Sequence, residues 1–411
     1  MASQPLPGFG GLGSSPLQPL PQLSASSVVP QPQMQPQPGA LPPTYSQLPG
    51  YGAGAPARVA PPPPAPAWAP PPPPKPQSNV PTLHQSLESS QPGRMTATKQ
   101  LFDSIMAEIG KIYVGQDELV LGTLVALFSN GHVLIESVPG LGKTLFVRTL
   151  CRVLGCRFGR IQFTADLMPS DITGAPIFDM KIQEFRFRPG PVFTQLLLAD
   201  EINRAPAKTH AALLEIMQEF RVTIDGTSHT LDRPFLVMAT QNPIESEGTY
   251  NLPEAQLDRF MFKLMADYPA ETEEAEILKL HSRQIDINQR LESELRALTN
   301  PEEILRISRE NSEVRVDDRL IDYINKIVRL TRNWPQFHLG ASPRAGLAIV
   351  TAARTLAAFN GRDYAVPDDV AQIAVPALRH RVILTAEAEV EGHKVDALLQ
   401  ELIRSVEVPR L

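Results

Sequence analysis

An apolar run, a glycine-rich bend and an amphipathic helix follow one another between His132 and Leu154. The run HVLIE (132–136) has the composition of a short strand, and KTLFVRTLCRVL (143–154) spaces its apolar residues as a helix does before Gly155. A strand that leads through a glycine bend into a helix is typical of α/β folds with a parallel sheet. The sequence therefore predicts an α/β domain around this segment.

The bend, SVPGLGKT, nearly matches the phosphate-binding pattern G-x-x-x-x-G-K-[ST]. In such a loop, backbone amides and the start of the following helix surround the phosphates. Lys143 can reach the outer phosphates of ATP, and the Thr144 hydroxyl can coordinate Mg²⁺. The alternative is a chance glycine turn. The residues predicted to bind nucleotide here are Pro139, Gly140, Leu141, Gly142, Lys143, Thr144 and Leu145.

Ser137 stands where the pattern has its first glycine. The position needs a small residue and an easy turn, and serine is small. Serine tolerates a positive φ less well than glycine does. We therefore expect ATP to bind, somewhat more weakly at worst.

A second apolar run ends on two carboxylates. TQLLLADEI (194–202) reads as a buried parallel strand that runs into Asp200 and Glu201. Ligands of α/β sheets bind at the carboxyl ends of the strands. Asp200 is therefore predicted to hold Mg²⁺ through water, and Glu201 to orient and deprotonate the attacking water. An acidic helix start after a core strand is the alternative.

A third apolar run, RPFLVMATQNP (233–243), ends on the polar pair Gln241 and Asn242. An amide at this point can position the attacking water or touch the γ-phosphate. Three strand ends then converge on one site, and the predicted reaction is ATP hydrolysis.

The first part of the chain differs in composition from the rest. Of the 42 prolines, 26 precede Lys99, and residues 1–80 contain no acidic residue and only two basic ones, Arg58 and Lys75. Such a segment has too few apolar side chains to offset the entropy of ordering it. Residues 1–95 are predicted to be a disordered, proline-rich tail, with the folded part beginning near Thr96.

The charge and hydropathy of the remainder disfavour some classes of protein. After residue 80 there are 36 basic and 44 acidic residues, so the net charge is 36 − 44 = −8, which disfavours binding to nucleic acid. The apolar run at 119–128 is too short to cross a bilayer, and the N-terminus lacks the features of a secretory signal. We expect no membrane insertion and a cytoplasmic protein. Cys151 and Cys156 are predicted to be buried thiols, with pairing or metal binding as the alternative.

Several long blocks are similar to the MoxR family of AAA+ ATPases across residues 96–408. They are GHVLIESVPGLGKT, LLADEINRAPAKTHAALLEIMQE, VMATQNPIESEGTYNLPEAQLDRF and SPRAGLAIVTAARTLAAFNGRDYAVPDDV. The resemblance implies an AAA+ α/β core with a central parallel sheet at residues 96–267. A small, all-α lid domain is expected at residues 268–411.

The resemblance also implies roles for three further segments. Arg259, in LDRF, matches an arginine finger that acts on the nucleotide of a neighbouring subunit, and Arg344, in ASPRAG, matches the second sensor. Val114, Gly115 and Gln116 match the segment that lines the adenine pocket. An ordinary salt bridge for each arginine and a simple turn for the glycine segment are the alternatives.

Two turn-rich segments, 162–193 and 221–235, interrupt the α/β alternation. They resemble the family's helix 2 insert and the hairpin before the first sensor, where related machines touch their substrates. Ordinary surface hairpins are the alternative. The basic helix end LRHR (378–381) is interpreted as offsetting the helix dipole alone.

The resemblance implies a chaperone-like ATPase that remodels, matures or activates protein complexes. It would form a homo-oligomeric ring, expected to be a hexamer, and act on a protein client, with a von Willebrand factor A domain expected in the partner. One alternative is an interaction scaffold in which nucleotide is only structural, and another is an AAA+ motor acting on DNA. Glu201, Asn242 and Arg259 favour the first reading, because a passive binder has no need of them.

Overall fold

Five parallel strands form the central sheet of the protein. The computed structural model describes residues 92–138, 140–181, 183–242, 250, 252–282 and 287–410. The strands up to β9 are β1 Val133–Ser137, β2 Phe158–Gln162, β3 Gly174–Asp179, β4 Glu184–Pro189, β5 Leu196–Asp200, β6 Arg221–Ile224, β7 Thr227–Thr230, β8 Leu236–Gln241 and β9 Phe262–Ala266. The sheet has the order β2-β5-β8-β1-β9. It is the predicted parallel α/β sheet.

The three strands predicted from apolar runs occupy the middle of this sheet. Every residue of β5 is buried, as is usual for a parallel strand covered on both faces. Successive side chains along a strand point to opposite faces. Leu196 and Leu198 accordingly join one apolar cluster, while Leu197 and Ala199 join another on the opposite face.

Helices cover both faces of the sheet. The helices associated with the sheet are α1 Pro92–Gly110, α2 Asp117–Phe128, α3 Lys143–Leu154, α4 Pro169–Thr173, α5 Ala207–Glu219 and α6 Glu254–Leu257. Helix α3 buries Phe146, Leu150 and Leu154 and ends before Gly155, as the sequence predicted; the φ of Gly155, 63°, is that of a left-handed cap. Helix α1 begins at Pro92, before the expected boundary at Thr96.

The two turn-rich segments form hairpins. Strands β3 and β4 pair antiparallel, and so do β6 and β7. The second hairpin turns at Asp225 and Gly226, which both have positive φ, as a tight two-residue turn requires.

A helical lid follows β9. Its helices are α7 Glu271–Ser282, α8 Ile287–Ser293, α9 Pro301–Ser312, α10 Asp318–Thr331, α11 Pro343–Phe359, α12 Pro367–Leu378, α13 Ala386–Val390 and α14 Val395–Ser405. One short antiparallel pair, β10 Phe337–Leu339 with β11 Ile383–Leu384, adds a feature that the sequence did not predict. The predicted boundary between residues 267 and 268 falls between β9 and α7.

The two cysteines are free and buried. Burial raises the pKa of the Cys156 thiol to about 12 and that of the Cys151 thiol further still, so both remain protonated at neutral pH. The prediction of buried thiols is confirmed.

Candidate active site

The glycine bend between β1 and α3 presents an uncapped helix start. Gly140 has a φ of 87° and Gly142 a φ of 71°, so the bend needs glycine at these two positions. Gly142 is the N-cap residue of α3 and gives its amides no side-chain acceptor. The first-turn amides are therefore available to an anion. Pro139 lies outside the described residues.

Ser137 is the last residue of β1 and lies in extended backbone, paired with Ala266. Its position requires no positive φ, so the expected conformational penalty for serine does not arise. The buried Ser137 hydroxyl accepts a hydrogen bond of 2.9 Å from Lys143 Nζ. The serine thus holds the lysine ammonium at the end of the strand.

Asp200 ends β5 and is almost fully buried. Its Oδ1 accepts a hydrogen bond from Thr240 Oγ1 at 2.6 Å, and its Oδ2 lies 2.7 Å from Arg160 Nη2. Both partners belong to the strands on either side of β5. The carboxylate is therefore fixed in orientation by its two neighbouring strands.

Glu201 has a left-handed backbone, with φ 56° and ψ 49°. A residue with a Cβ pays on the order of 1 kcal/mol or more for this conformation. The Glu201 amide donates to Thr240 Oγ1 at 2.9 Å, which helps to hold the bend. Strained backbone conformations are concentrated at functional positions. Here the left-handed conformation turns the chain at Glu201 away from the direction of β5.

Two donors hold the Glu201 carboxylate. Gln162 Nε2 donates to Glu201 Oε2 at 2.8 Å, and Arg204 Nε lies 3.0 Å from the same oxygen. Sequence reasoning did not identify Gln162, Arg204 or Arg160. The available signal was the polar alternation of Arg160 and Gln162 along β2, but its meaning depends on β2 lying beside β5.

The end of β8 lies between the ends of β1 and β5. Gln241 closes β8 and donates to Glu136 Oε2 at 2.7 Å, an oxygen that also lies 2.7 Å from Lys263 Nζ. Asn242 follows directly and is buried, with 8% of its surface exposed. The structure thus brings the phosphate loop, the acidic pair and Asn242 to one edge of the sheet, as the sequence predicted.

The segment of Val114, Gly115 and Gln116 lies beside the phosphate loop. Tyr113 packs on Phe146 of α3 with ring centroids 4.9 Å apart. Gln116 caps α2 and donates from Nε2 to the Asp267 carbonyl at 2.7 Å. The segment thus lies between Tyr113, which packs on α3, and Asp267, which ends the core, and its role in binding adenine stays a prediction.

Arg259 and Arg344 lie apart from the phosphate loop. Arg259 is half-buried and donates from Nη1 to the Leu214 carbonyl at 3.0 Å, while Arg344 is exposed in the first turn of α11. Within the described part of the chain, no hydrogen bond or ion pair joins either arginine to the loop. Their roles toward nucleotide stay predictions.

The predicted metal ligands supply only oxygen. Thr144 offers a hydroxyl and Asp200 a carboxylate, and Mg²⁺ prefers such ligands together with water and phosphate oxygens. The described residues contain no cluster of three or more His, Cys, Asp or Glu side chains that could hold a metal by themselves. The donor set therefore fits Mg²⁺ that arrives with a nucleotide.

The parallel sheet, the phosphate loop after β1, the acidic pair after β5 and the helical lid together define an AAA+ ATPase. The model of the ATPase family associated with various cellular activities matches residues 132–262, and that of the AAA lid domain matches residues 329–402. The chain is thus a nucleotide-binding, ATP-hydrolysing enzyme.

Similar individual proteins identify the family within the AAA+ ATPases. Protein YeaC of Bacillus subtilis (strain 168) is 45% identical over 309 residues, which cover 75% of this chain and 95% of the relative. Chaperone MoxR1 of Mycobacterium tuberculosis (strain ATCC 25618 / H37Rv) is 43% identical, over 77% of this chain and 85% of its own. A crystal structure of a protein from Cytophaga hutchinsonii ATCC 33406 superposes with a TM-score of 0.72 at 38% identity, covering 80% of this chain and 99% of that one. The chain belongs to the MoxR family of chaperone-like AAA+ ATPases.

Among the described residues, no helix is both long enough and apolar enough to cross a membrane.

Proposed function

We propose that this ATPase uses the hydrolysis of Mg²⁺-bound ATP to remodel or mature protein complexes. The observation that carries the proposal is the convergence of Lys143, Asp200 with Glu201, and Asn242 on three adjacent strand ends. A nucleotide that only stabilised the fold would require the phosphate loop, but it would not require Glu201 in a strained backbone conformation beside that loop. Family membership supports the chaperone-like part of the proposal.

ATP binding uses the start of α3 and the lysine. The phosphates accept hydrogen bonds from the first-turn amides of α3, and Lys143 Nζ turns from the Ser137 hydroxyl to the outer phosphates. Val114, Gly115 and Gln116 line the adenine side. Thr144, and Asp200 through water, would hold Mg²⁺, and the metal would supply positive charge to stabilise the phosphates.

Hydrolysis uses the ends of β5 and β8. Glu201 accepts the proton of the attacking water, and Asn242 orients that water toward the γ-phosphate. The Thr240 hydroxyl links the Asp200 carboxylate to the Glu201 amide, so it fixes metal ligand and base relative to each other. Gln162 and Arg204 occupy the Glu201 carboxylate here and must release it before it can act.

Assembly completes the site. Arg259 acts on the γ-phosphate bound by a neighbouring subunit, and Arg344 contacts nucleotide from the lid. The protein then works in the cytoplasm as a homo-oligomeric ring, which we propose to be a hexamer. Its client is a protein, with a von Willebrand factor A domain as the favoured partner, and not a nucleic acid, because the folded part is acidic.

The hairpin of β3 and β4 is the proposed client contact. It carries large apolar side chains in water: Met180 is 81% exposed and Phe185 is 73% exposed, and Ile177 and Phe178 are each more than 40% exposed. Exposed apolar groups that are adjacent on one hairpin mark a surface that binds protein. This observation favours a protein client.

Two substitutions separate binding from chemistry. Lys143→Ala should lose ATP binding, because the cation that reaches the phosphates is gone. Glu201→Gln should bind ATP normally, yet its turnover should fall about 10²-fold to 10⁴-fold, because the amide keeps the shape and loses the base. Calorimetry and phosphate release measure the two effects.

The matched control is Glu219→Gln. Glu219 is an exposed carboxylate that ends α5 and pairs with Arg221, so its variant should hydrolyse ATP at the unmodified rate. Undiminished hydrolysis by Glu201→Gln would show that the base lies elsewhere.

A further inference from the structure

The basic segment LRHR at the end of α12 does more than offset a helix dipole. The side chains of Arg379 and Arg381 are only 8% and 3% exposed, and His380 is buried as well. Arg381 Nη1 does donate to the Ala377 carbonyl in the last turn of α12 at 2.5 Å, as a helix-terminal cation can, but the other donors of the guanidinium reach the core. The interpretation based on the dipole alone is therefore wrong, because the lid folds this helix end against the α/β core.

Arg381 fastens the segment that carries Arg259. It donates from Nε to Asp258 Oδ1 at 2.8 Å and from Nη2 to the carbonyls of Asp258 and Phe260 at 3.2 and 2.7 Å. Nη1 donates to the Met261 carbonyl at 3.3 Å. One buried guanidinium thus binds the backbone on both sides of Arg259.

His380 adds a parallel contact. Its Nε2 donates to the Phe260 carbonyl at 3.0 Å, so two consecutive side chains of the lid hold one carbonyl of the core. Burial and the nearby Arg381 charge hold the pKa of His380 well below its usual range, so the ring stays neutral.

Asp258 also connects to the start of α11. The Ser342 hydroxyl donates to both Asp258 carboxylate oxygens, at 3.0 and 2.9 Å. Ser342 caps α11 and accepts the amide of Arg344 at 3.2 Å. The Asp258 carboxylate is therefore the shared partner of two lid elements, one of which carries Arg344.

We propose that Arg381 and Asp258 are positioning residues that tie Arg259 to the lid, so that lid and arginine move as one body. This inference rests on the proposed role of Arg259 toward a neighbouring subunit. Lid movement in one subunit would then advance or withdraw Arg259 at the neighbour's nucleotide. The planar, five-donor guanidinium suits the task, because a lysine ammonium cannot reach the same set of acceptors.

The first test is Arg381→Lys. The charge remains, but the fixed arrangement of donors is lost, so turnover should fall about 10-fold to 100-fold through misplacement of Arg259. The ATP dissociation constant should stay within about 2-fold, because the phosphate loop belongs to a different part of the core. Asp258→Asn, which keeps the side-chain shape, should show the same separation of turnover from binding.

Arg379→Lys is the matched control. Arg379 is similarly buried in the same segment, but it pairs with Asp396 and donates to the Lys263 carbonyl, beyond the Arg259 segment. Its variant should turn over at close to the unmodified rate. Equal losses for Arg379→Lys and Arg381→Lys would overturn the proposal, since they would indicate a general loss of packing.

The second test asks through which residue Arg381 acts. The double variant Arg259→Ala with Arg381→Lys should turn over no more slowly than Arg259→Ala alone. Once Arg259 has been removed, loosening its position can lower the turnover no further. Multiplied defects in the double variant would contradict the inference.

Mixed assemblies separate this inference from the proposed function. Arg381→Lys mixed with Glu201→Gln should regain activity, because an intact site can meet an intact Arg259 from the neighbour. The reference mixture is Arg259→Ala with Glu201→Gln. If only the reference mixture regains ATPase activity, the proposed role of Arg381 is refuted, whereas the proposed action of Arg259 on a neighbouring subunit is supported. If neither co-assembled mixture recovers, the trans role of Arg259 fails, and this inference fails with it.

Discussion

Ser137 and Lys143 show how a departure from a motif is accommodated at a single position. A glycine is needed in a phosphate loop where φ is positive, and in this chain those positions are Gly140 and Gly142. Ser137 belongs to the strand instead, where its small side chain fits a buried place and its hydroxyl accepts a hydrogen bond from the lysine. Serine in place of the motif's first glycine therefore gives Lys143 a hydrogen-bond partner and leaves the path of the backbone unchanged.

This arrangement predicts the effect of Ser137→Gly. The variant removes an acceptor that competes with the phosphates for Lys143 Nζ, so ATP should bind equally tightly or more tightly, by up to about 10-fold. Titration calorimetry with ATP and Mg²⁺ measures the change. Weaker binding by the glycine variant would show that the hydroxyl contributes to the nucleotide site directly.

At the scale of strands and helices, the sequence predicted those parts whose signal is local. The ends of β1, β5 and β8 were correctly located, because buried parallel strands read as apolar runs and their last residues are polar. Arg160 and Gln162 were missed, because their partners depend on β2 lying next to β5, and the order of strands is not written in any one segment. The LRHR segment was misinterpreted for a similar reason: its burial depends on how the lid packs.

One buried histidine joins three elements and makes them sensitive to acid. His132 precedes β1, accepts the Val237 amide of β8 at Nδ1 over 3.1 Å, and donates from Nε2 to the Met217 carbonyl of α5 over 3.0 Å. A proton on Nδ1 would face the Val237 donor. Burial lowers the pKa of His132 to about 4, so the ring is neutral in the folded protein at neutral pH.

The free energy of unfolding should therefore depend on pH in one direction. In the unfolded chain a histidine has a pKa near 6.5. Between about pH 6.5 and 4, His132 is therefore protonated in the unfolded chain but neutral in the folded protein. His132 should lower the free energy of unfolding by about 3 kcal/mol across this window. The pKa values of His210 and His380 are also lowered, so these residues act in the same direction.

Urea unfolding at pH 7 and pH 5 measures this dependence. His132→Gln should be less stable at pH 7 but should lose less stability on acidification. The control His393→Gln, at an exposed position, should retain the original slope. Identical slopes for His132→Gln and the unmodified protein would mean that His132 is not the sensitive group.

At the scale of the whole molecule, the core and lid divide the proposed machinery between them. The core carries the phosphate loop, the acidic pair and Arg259, while the lid carries Arg344 and the residues that hold Arg259 in place. Because Arg259 donates to its own α5 and not to its own phosphate loop, the site is proposed to be complete only in an assembly.

Activity should accordingly depend on protein concentration. An arginine finger from a neighbour contributes about 10³-fold to 10⁵-fold in related phosphoryl-transfer reactions, so the rate per subunit should rise steeply as rings form. Phosphate release measured across a dilution series, with light scattering on the same samples, compares rate with assembly. A rate per subunit that stays constant from monomer to ring would place the complete site within one chain.

The left-handed backbone of Glu201 has a consequence for how this protein can be engineered. A glycine or asparagine at position 201 would relieve a conformation that costs glutamate on the order of 1 kcal/mol. Selection for heat resistance alone would therefore favour replacing the very residue proposed to be the base, and the most thermostable descendants would be inactive. Under the proposed role of Glu201, some folding stability is given up for chemistry at this position, so thermostability screens of this enzyme need a simultaneous screen for turnover.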